Sequence, residues 1–546
     1  MPGDSLARAM AHPYVIEEFT PEERQILLRY FTNTDRPVFA LHNLPEVVKG
    51  ALFARYSRTA KSLRRLFLDE FYRGEDTLEV GEIGAERARE LYDRIFIEFG
   101  DDSVAQLGGA HIAVEQGSNI LTKALEWGRL AAYLEQSTRY VPYDDMPGGR
   151  FRWFREPDIM GSPHAGAYAR TMDGLFELYR DALPRAVEAY ERRFPKQPED
   201  TSFVYKATIR AKALDALRGM LPAATVSNTG VYATGQSFEQ MLLRMRASAL
   251  AEVREVADMM LEELNQVIPV FLQRVDQPER GGAWTEYLRG AREASEAAAA
   301  GVLADDKPDD RPLVTLTDWD PDAEEKLVAA MLYAASDLPD DQLRARAGAM
   351  SDTERAQVVQ AYLGDRRNRR HKPGRAFERV DYRFDVLADY GAFRDLQRHR
   401  MLTIEWQDLT PRHGYDTPPD LDVLGVGDGF REAMERSEET WAAIHPDLPR
   451  QAQYAVAMAY RIRFVLQLNA REAMHLIELR SSPQGHRAYR EVAHEMHRQI
   501  AEVAGHRVVA EAMRYLDTSD VDLERLEAER RAERRRREAA QGKPSA

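Results

Sequence analysis

Two stretches far apart in the chain resemble each other, and this internal repeat is the strongest constraint on the fold. Residues 235–246 are GQSFEQMLLRMR, and residues 469–480 are NAREAMHLIELR. Both have the apolar spacing of a helix, both end in arginine, and each is followed by a helical segment with an Arg-Glu pair. Further upstream, LEWGRLAAYLEQSTRY parallels LQRHRMLTIEWQDLTPRHGY. The sequence therefore predicts two copies of one domain that have diverged by insertion.

Composition limits the classes of function. The chain has 546 residues, of which 44% are hydrophobic and 30% charged, as is typical of a globular protein with more than one domain. A net charge of −15 argues against a general nucleic-acid-binding protein and leaves room for a local basic pocket. No apolar run reaches the ~18–20 residues of a membrane span, and the N-terminus lacks a signal-like apolar core. We therefore expect a cytoplasmic protein with no membrane or nucleic-acid partner.

The chain contains no cysteine. Disulfides, thiolate nucleophiles, iron–sulfur clusters and cysteine-bound zinc are therefore excluded. His494 and His497 lie three residues apart in a predicted helix and could touch a metal ion. No third ligand accompanies them in the sequence, so we predict no metal site.

Most of the chain has helical periodicity, with few strands. The clearest strand is ERVDYRFDVLA, in which Val380, Tyr382, Phe384 and Val386 alternate with polar residues. A second strand, PLVTLTDW, is expected to lead into a helix capped by Asp320.

Changes in composition divide the chain into four parts. We predict a first repeat over 1–275, a linker over 276–311, a second repeat over 312–523 and a charged, disordered tail over 524–546. The linker is rich in Ala, Asp, Gly and Pro, has little apolar periodicity, and has room for a short helix.

Arg398, His399 and Arg400 lie side by side after the predicted strand. Adjacent arginines in a folded core need an anion, because an unpaired buried charge is costly. Arginine forks suit phosphates and carbonyl-rich rings, and the imidazole could donate to a flavin edge or a diphosphate. The alternative is a surface corner at which these cations pair with nearby acids such as Glu405 and Asp408.

The segment EQSTRY offers a second set of polar groups. Ser137 and Arg139 could share one phosphate, while Glu135 accepts a hydrogen bond from a sugar hydroxyl or a ring N–H. Further along, Arg471 and His475 share one stripe of a predicted helix, whose dipole favours an anion near its start. An ordinary helix end for the first segment and a solvated helix face for the second are the structural alternatives.

Together these residues resemble the motifs of the flavin-dependent thymidylate synthase family. Its signature contains Arg-His-Arg and then Glu-x-Ser-x-Arg-Tyr, and a later helix carries Asn-Ala-Arg-Glu-Leu-x-His-Phe-Leu-x-Leu-Arg. The similarity covers parts of 35–260 and 312–500. The resemblance implies an α+β fold made of two fused copies of a mainly helical domain with a small antiparallel sheet.

The resemblance also implies the reaction and its partners. The family is a homotetramer with FAD sites between subunits, and it methylates dUMP with methylenetetrahydrofolate while NADPH reduces the flavin. The cofactors implied here are FAD, NADPH and the folate co-substrate. A tandem chain of this family would form a homodimer that mimics the tetramer.

The second repeat matches the flavin-side motifs. By this resemblance, the cofactor-binding residues are Arg398, His399, Asn469, Arg471 and His475. The implied catalytic residues are Arg400 and Arg480. Thr403 replaces the serine of the motif, and the segment after it, EWQDLTPRHGY, departs from the family pattern.

The first repeat matches the nucleotide-side motif. By the same resemblance, the substrate-binding residues are Glu135, Ser137, Arg139, Arg218 and Arg246, and Arg246 is also catalytic. Single arginines such as Arg218 and Arg246 are otherwise common salt-bridge partners. The sequence WGR stands in place of Arg-His-Arg, and Gly235 and Ser237 replace the Asn and Arg of the later helix. Neither repeat alone carries a full site.

The missing cysteine agrees with this family. The common thymidylate synthase attacks uracil with a cysteine thiolate, whereas a flavin supplies the hydride in the family resembled here. We therefore predict an FAD-dependent thymidylate synthase that converts dUMP to dTMP at a site shared by both repeats. The alternatives are a non-catalytic relative that binds flavin or nucleotide, and a different flavin- or folate-dependent methylation.

Overall fold

The computed structural model describes residues 17–56, 59, 61–72, 106–198, 200–483 and 485–519. The helix predicted for ERARELYDRIFIEF and the charged tail predicted over 524–546 lie outside these ranges. Within them, we find no helix that combines the length and the hydropathy of a transmembrane span.

The first half of the chain holds a small antiparallel sheet among helices. Its elements are α1 (Pro21–Leu27), α2 (Glu46–Tyr56), α3 (Leu63–Leu66), β1 (Gly109–Ser118), α4 (Asn119–Leu125), β2 (Ala131–Glu135), α5 (Pro157–Met160), α6 (Ala165–Arg193), α7 (Ser202–Leu217), β3 (Val226–Thr234), α8 (Gly235–Arg246), α9 (Ala251–Val267) and α10 (Pro269–Leu272). Strand β3 is central and pairs antiparallel with β1 on one side and β2 on the other.

The second half holds a similar sheet with one more strand. Its elements are α11 (Ala283–Val302), β4 (Val314–Trp319), α12 (Ala323–Tyr333), α13 (Asp340–Gly348), α14 (Asp352–Leu363), β5 (Asp381–Asp389), α15 (Tyr390–Gln397), β6 (Leu402–Trp406), α16 (Gly427–Ile444), β7 (Arg461–Asn469), α17 (Ala470–Arg480), α18 (Arg487–Glu502) and α19 (Arg507–Ala512). The strand order is β4-β5-β7-β6, and all pairs are antiparallel.

The two halves share one topology. The order β1-α4-β2-β3-α8-α9 in the first half corresponds to β5-α15-β6-β7-α17-α18 in the second. The helices after the first strand of each set begin at equivalent caps: Ser118 Oγ accepts from Leu121 N at 3.0 Å, and Asp389 Oδ1 accepts from Ala392 N at 3.0 Å. The prediction of an α+β fold in two copies is therefore confirmed.

Large insertions between the second and third equivalent strands join the halves. Helix α6 of the first insertion packs on α16 of the second, where the hydroxyls of Thr171 and Thr440 lie 2.7 Å apart. One hydrophobic core combines buried residues of 143–224 with those of 314–513, and the other combines residues of 19–71, 110–131 and 231–275. The first insertion thus contributes to the core of the second half, and the domain limits given above remain predictions.

Local structure departs from the sequence predictions at three places. Strand β5 has the predicted alternation, but the short helix α15 separates it from Arg398. The eight residues of α15 are fewer than the window of about 11–18 residues over which helical periodicity is read. The predicted linker contains a 20-residue helix, α11, whose Ala-rich sequence favours helix without apolar periodicity. Helix α12 has Asp322 rather than Asp320 at its N-cap.

Candidate active site

The predicted residues of the first repeat meet those of the second at the end of β2. Glu135 is buried, and its Oε1 accepts from Arg394 Nη2 of α15 at 2.5 Å. Its other oxygen lies 3.4 Å from Lys123 Nζ and 4.0 Å from Arg398 Nη1. Burial acts to raise the pKa of Glu135, but Arg394, Lys123 and Arg398 outweigh it and lower this pKa to about 2. Glu135 is therefore a fixed anion at the junction of the repeats.

Asp395 of α15 is the centre of this junction. Its carboxylate pairs with Arg398, lies 3.4 Å from Arg480 Nη1, and lies 3.9 Å from Arg218 Nη1 of the first repeat. Burial acts to raise the pKa of Asp395, but Arg398, Arg480, Arg218 and Arg139 together hold it well below its usual range. Cations from both repeats thus converge on one buried carboxylate.

Arg139 reaches the same junction from the first repeat. Its guanidinium forms a two-bond pair with Asp215, at 2.6 and 2.7 Å, and its Nη1 donates to the hydroxyl of Tyr489 at 3.3 Å. The Tyr489 ring in turn lies 5.3 Å from the guanidinium carbon of Arg480. Arg139 and Arg480 therefore contact opposite parts of one tyrosine.

His399 connects Arg480 to helix α17. Arg480 Nε donates to His399 Nε2 at 3.0 Å, and His399 Nδ1 lies 2.9 Å from Glu472 Oε1. Because arginine has only donors, Nε2 is the acceptor and the proton is on Nδ1, which donates to Glu472. Burial, Arg480 and Arg398 lower the pKa of His399, so the ring is neutral. A neutral imidazole of fixed tautomer thus orients Arg480.

His399, Glu472 and His475 also bring ligand-type atoms within 4.8 Å of one another. Such a group resembles a metal site, yet both ring nitrogens of His399 are already engaged by Glu472 and Arg480. A metal ion here would also face the positive guanidinium of Arg480. These contacts give no support to a metal centre.

The other predicted cofactor residues lie at the start of α17 or along it. The side chain of Asn469 caps the helix by accepting from Glu472 N at 3.0 Å. Arg471 donates to the Pro373 carbonyl at 2.9 Å and to Glu378 at 3.0 Å. The ring centroids of His475 and His399 are 5.4 Å apart, and burial lowers the pKa of His475 to about 4.

Three predicted residues lie elsewhere or have lesser contacts. Arg246 pairs with Asp258 and Asp276, each at 2.7 Å, and so lies in a different set of contacts from Arg480. Arg400 is exposed and donates to the Ala131 carbonyl. Ser137 Oγ accepts from the backbone N of Arg139 at 3.3 Å, so it shapes the turn that presents Arg139.

Several structural alternatives can now be decided. Arg398 does not form a surface corner with Asp408, because Asp408 pairs with Arg450. The stripe of α17 that carries Arg471 and His475 also carries Glu478. It is not a solvated face, because Glu478 is buried and pairs with Arg366 at 2.7 Å. The remote histidines bond to backbone carbonyls: His494 to Asp517 and His497 to Ala510.

A cavity of about 520 Å³ opens beside this cluster. Arg139 and Arg218 of the first repeat line it, together with Asp389 and Gly391 of the second. Arg218 is buried, and its Nη2 finds no hydrogen-bond partner among the described residues. The cavity therefore offers a donor that an added ligand can satisfy.

The residues that sequence analysis missed are mostly the partners of the predicted cations. They are Asp215, Asp389, Arg394, Asp395, Glu472 and Tyr489. Single acids in helical segments carry no local signal, because their importance depends on contacts between distant parts of the chain. Two of them had a clue: Glu472 is the glutamate of the Asn-Ala-Arg-Glu motif, and Asp395 lies three residues before Arg398, one helical turn away.

Comparison with known proteins decides the family. The model of Thy1, the thymidylate synthase complementing protein family, matches residues 52–270 and again residues 315–505. The chain belongs to the Thy1 family. The two matches correspond to the two halves that share one topology, so this Thy1 protein is a tandem of two repeats.

Relatives of similar length support this membership. A UPF0159 protein of Chlamydia muridarum is 38% identical over 522 residues, covering 94% of this chain and 98% of its own. One from Chlamydia pneumoniae is 39% identical over 525 residues, covering 95% and 98%. One from Thermoplasma acidophilum is 32% identical over 508 residues, covering 88% and 97%.

Among solved structures, one match is a flavin-dependent thymidylate synthase, ThyX, from Helicobacter pylori, complexed with FAD and dUMP. It is 16% identical, and the match covers 34% of this chain and 93% of that chain with a TM-score of 0.26.

Proposed function

We propose that this Thy1 protein is an FAD-dependent thymidylate synthase with one composite site in each chain. The observation that carries this proposal is the convergence on Asp395 of Arg139 and Arg218 from the first repeat with Arg398 and Arg480 from the second. The site residues that we assign are Glu135, Arg139, Arg218, Asp395, Arg398, His399 and Arg480.

The groups at the junction suit an anionic nucleotide. Arg218 has an unpartnered buried donor at Nη2, and the cavity beside it has the size of a small-molecule site. Arg139 is paired with Asp215, so its guanidinium would donate to a phosphate while it keeps its bonds to Asp215. We assign dUMP to this cavity on these grounds.

A flavin would be held on the side of α17. His475 lies there in a positive environment that includes Lys372 and Arg369, which add to the lowering of its pKa. Arg471 follows the helix start, where anions are favoured. These residues fit the diphosphate of FAD, and His399 and His475 would face its ring system.

When bound, the reduced flavin supplies the hydride, NADPH restores it, and methylenetetrahydrofolate supplies the one-carbon unit. This chain contributes positioning and charge. Arg218, which lines the cavity, would stabilise negative charge that develops on the pyrimidine, and Arg398 and Arg480 would act on it at longer range through their shared contacts with Asp395. Arg246 and Arg400 are left out of this site because their contacts lie elsewhere.

The half-sites meet within a single chain, so no second copy is needed to bring Arg139 close to Arg480. A homodimer that mimics a tetramer remains part of the proposal, and light scattering of the purified protein would measure the oligomeric state.

Release of tritium from dUMP labelled at C5 tests the function. We expect release that depends on added NADPH and methylenetetrahydrofolate, and we expect flavin absorbance in the freshly purified protein. Flavin absorbance without tritium release would leave a flavin-binding relative or a different methylation as the function. A colourless protein that gains neither absorbance nor activity from added FAD would contradict the proposal.

One observation favours the non-catalytic alternative. The cations of the junction are largely neutralised within the protein, as in the pairs of Arg139 with Asp215 and of Arg398 with Asp395. A protein that does not use these arginines to bind an anionic substrate would keep them in such internal pairs. The tritium assay separates the two functions.

A further inference from the structure

Two buried side chains on the cavity wall each have a terminal atom without a partner. Arg218 is 5% exposed and Asp389 is 7% exposed. Among the described residues, neither Nη2 of Arg218 nor Oδ2 of Asp389 has a hydrogen-bond partner. An unsatisfied buried polar group destabilises the folded protein, and more so when it is charged. A ligand that satisfies both atoms at once would remove this destabilisation.

Both groups approach the same small space beside Gly391. A Cβ built on Gly391 would lie 2.8 Å from Asp389 Oδ1 and 3.0 Å from Arg218 Nη2. Gly391 is in the first turn of α15, where the backbone is helical and does not require glycine. A real Cβ would clash with Asp389 and crowd Arg218, so the absence of a side chain at Gly391 lets both groups lie directly against the start of α15 on the cavity wall.

The pair of groups selects a particular chemistry. Arg218 Nη2 can only donate, and the carboxylate oxygen of Asp389 can only accept. A phosphate would suit Arg218, but it would bring negative charge against Asp389. A ligand edge with an N–H beside a carbonyl satisfies both groups without adding charge.

We propose that Arg218 and Asp389 together bind the planar edge of a heterocycle in which an N–H lies next to a carbonyl. The N–H donates to Asp389 Oδ2, and the carbonyl accepts from Arg218 Nη2. This inference rests on the proposed function, because uracil, the flavin ring and the pterin of the folate all carry such an edge. Asp389 is thereby a specificity-determining residue outside the matched motifs.

The acidity of the carboxyl group agrees with this arrangement. Burial raises the pKa of Asp389 to about 6, although Arg218 acts to lower it. The group is mainly ionised at neutral pH, so it is an acceptor there. A ligand N–H would stabilise the ionised form further.

Binding measurements on the full chain test this inference. Isothermal titration calorimetry with dUMP, riboflavin and folate, each added alone, shows which of the three sources the site takes. Asp389→Ser deletes the unpartnered oxygen but keeps a helix cap of the kind that Ser118 provides in the first repeat. Gly391→Ala instead adds a methyl group that displaces Asp389 and Arg218 from their places on the cavity wall.

We expect one ligand to lose affinity by at least about tenfold in both variants, as the loss of a buried charge-assisted hydrogen bond implies. Its N3-methyl derivative, which lacks the N–H, should bind the wild type weakly and should lose little more in Asp389→Ser. Asp416→Asn is the matched control, because Asp416 lines the same cavity but pairs with Arg461 at 2.6 Å. Its effect should stay within about threefold.

The inference is overturned if none of the three ligands binds the wild type, or if every ligand binds Asp389→Ser and Gly391→Ala as tightly as the wild type. Thermal unfolding of both variants checks that they fold. The tritium assay on the wild type is independent of these titrations. If the wild type is active and Asp389→Ser binds every ligand as tightly as the wild type, the inference is wrong and the proposed function stands. If the wild type is inactive in the tritium assay, the proposed function is wrong.

Discussion

Helices α8 and α17 occupy the same place in the two repeats, and both end in arginine, yet the two arginines have different surroundings. Arg246 pairs with Asp258 and Asp276, whose side chains are 61% and 63% exposed. Arg480 lies against Asp395 and His399 at the junction of the repeats, and its side chain is 14% exposed. Equivalent positions in a repeat therefore need not be equivalent sites, because the partner residues decide the role.

Two sets of contacts between the repeats, here called the first and the second junction, differ in the same way. The first brings Glu135, Arg139 and Arg218 to Asp395 and Arg480. At the second junction, Arg129 donates to the Thr403 hydroxyl at the surface, and Arg400 donates to the backbone carbonyl of Ala131. Of these two sets of contacts, only the first contains buried ion pairs, which is why we propose one site for each chain.

The largest effect is expected for stability, at Glu135. Glu135→Gln leaves the buried Arg394 without its anion, whereas Lys123 keeps Glu126, and we expect a loss of about 3–5 kcal/mol in the free energy of unfolding. Glu405→Gln on the equivalent strand β6 is the control, and because Glu405 is exposed it should change this free energy by less than about 0.5 kcal/mol. Urea denaturation measures both, and equal losses would remove the distinction between the two junctions.

The next effect concerns catalysis and compares the paired arginines directly. Arg480→Gln should lower the rate of tritium release from dUMP by about 100-fold or more, as the loss of a charge-stabilising donor does. Arg246→Gln should stay within about threefold of the wild type, because Arg246 bonds to exposed acids.

A loss of similar size in both arginine variants would show that each repeat carries an active site. Circular dichroism and flavin content of the two variants separate a catalytic loss from unfolding.

A smaller effect is expected in the pH dependence of stability. Burial raises the pKa of Asp389 to about 6 from an ordinary value of 3.8, so the folded protein binds more protons than the unfolded chain between these pH values. The contribution of Asp389 to stability is therefore fully present below pH ~4 and falls by about 2–3 kcal/mol as the pH rises through ~6.

Asp389→Ser, which installs the type of cap that the first repeat has at Ser118, should remove this fall. Urea denaturation of the wild type and the variant at several pH values measures the difference. If the free energy of unfolding of the variant falls with pH as much as that of the wild type, Asp389 is not the group with the raised pKa.

The smallest effect is expected at the second junction. Arg129→Ala removes an exposed bond of 2.8 Å to Thr403 and should lower the free energy of unfolding by no more than about 0.5 kcal/mol. A loss above about 2 kcal/mol in urea denaturation would mean that this junction is as important for folding as the first.

The sequence predicted the features that depend on local pattern. The repeat, the α+β class and the alternation of Tyr382, Phe384 and Val386 in β5 follow from periodicity, and the structure confirms them. The prediction that Arg139 and the Arg-His-Arg segment share one site followed from the complementary losses in the two repeats, and in the structure Arg139 and Arg480 both contact Tyr489. That complementarity is a property of pairs of motifs, so it can be seen without a structure.

Other features could not be predicted, because they arise from contacts between distant segments. Helix α15 is only eight residues long, and the burial of its polar residues Arg394, Asp395 and Gln397 depends on tertiary contacts that the local sequence does not show. The pairing of Arg139 with Asp215, and of Arg246 with Asp276, depends on tertiary packing, which a single charged residue in the sequence does not predict. The cap at Asp389 looks like any acid at a strand end until Arg218 is placed beside it.

The central claim is that Arg139 of the first repeat and Arg480 of the second act on one ligand. A double-mutant cycle with Arg139→Lys and Arg480→Lys, read out as the free energy of dUMP binding by calorimetry, tests it most directly. We predict that the two losses are coupled by about 1 kcal/mol or more, as for residues in one network. Losses that add within about 0.3 kcal/mol, or a wild-type protein that does not bind dUMP, would contradict a shared site.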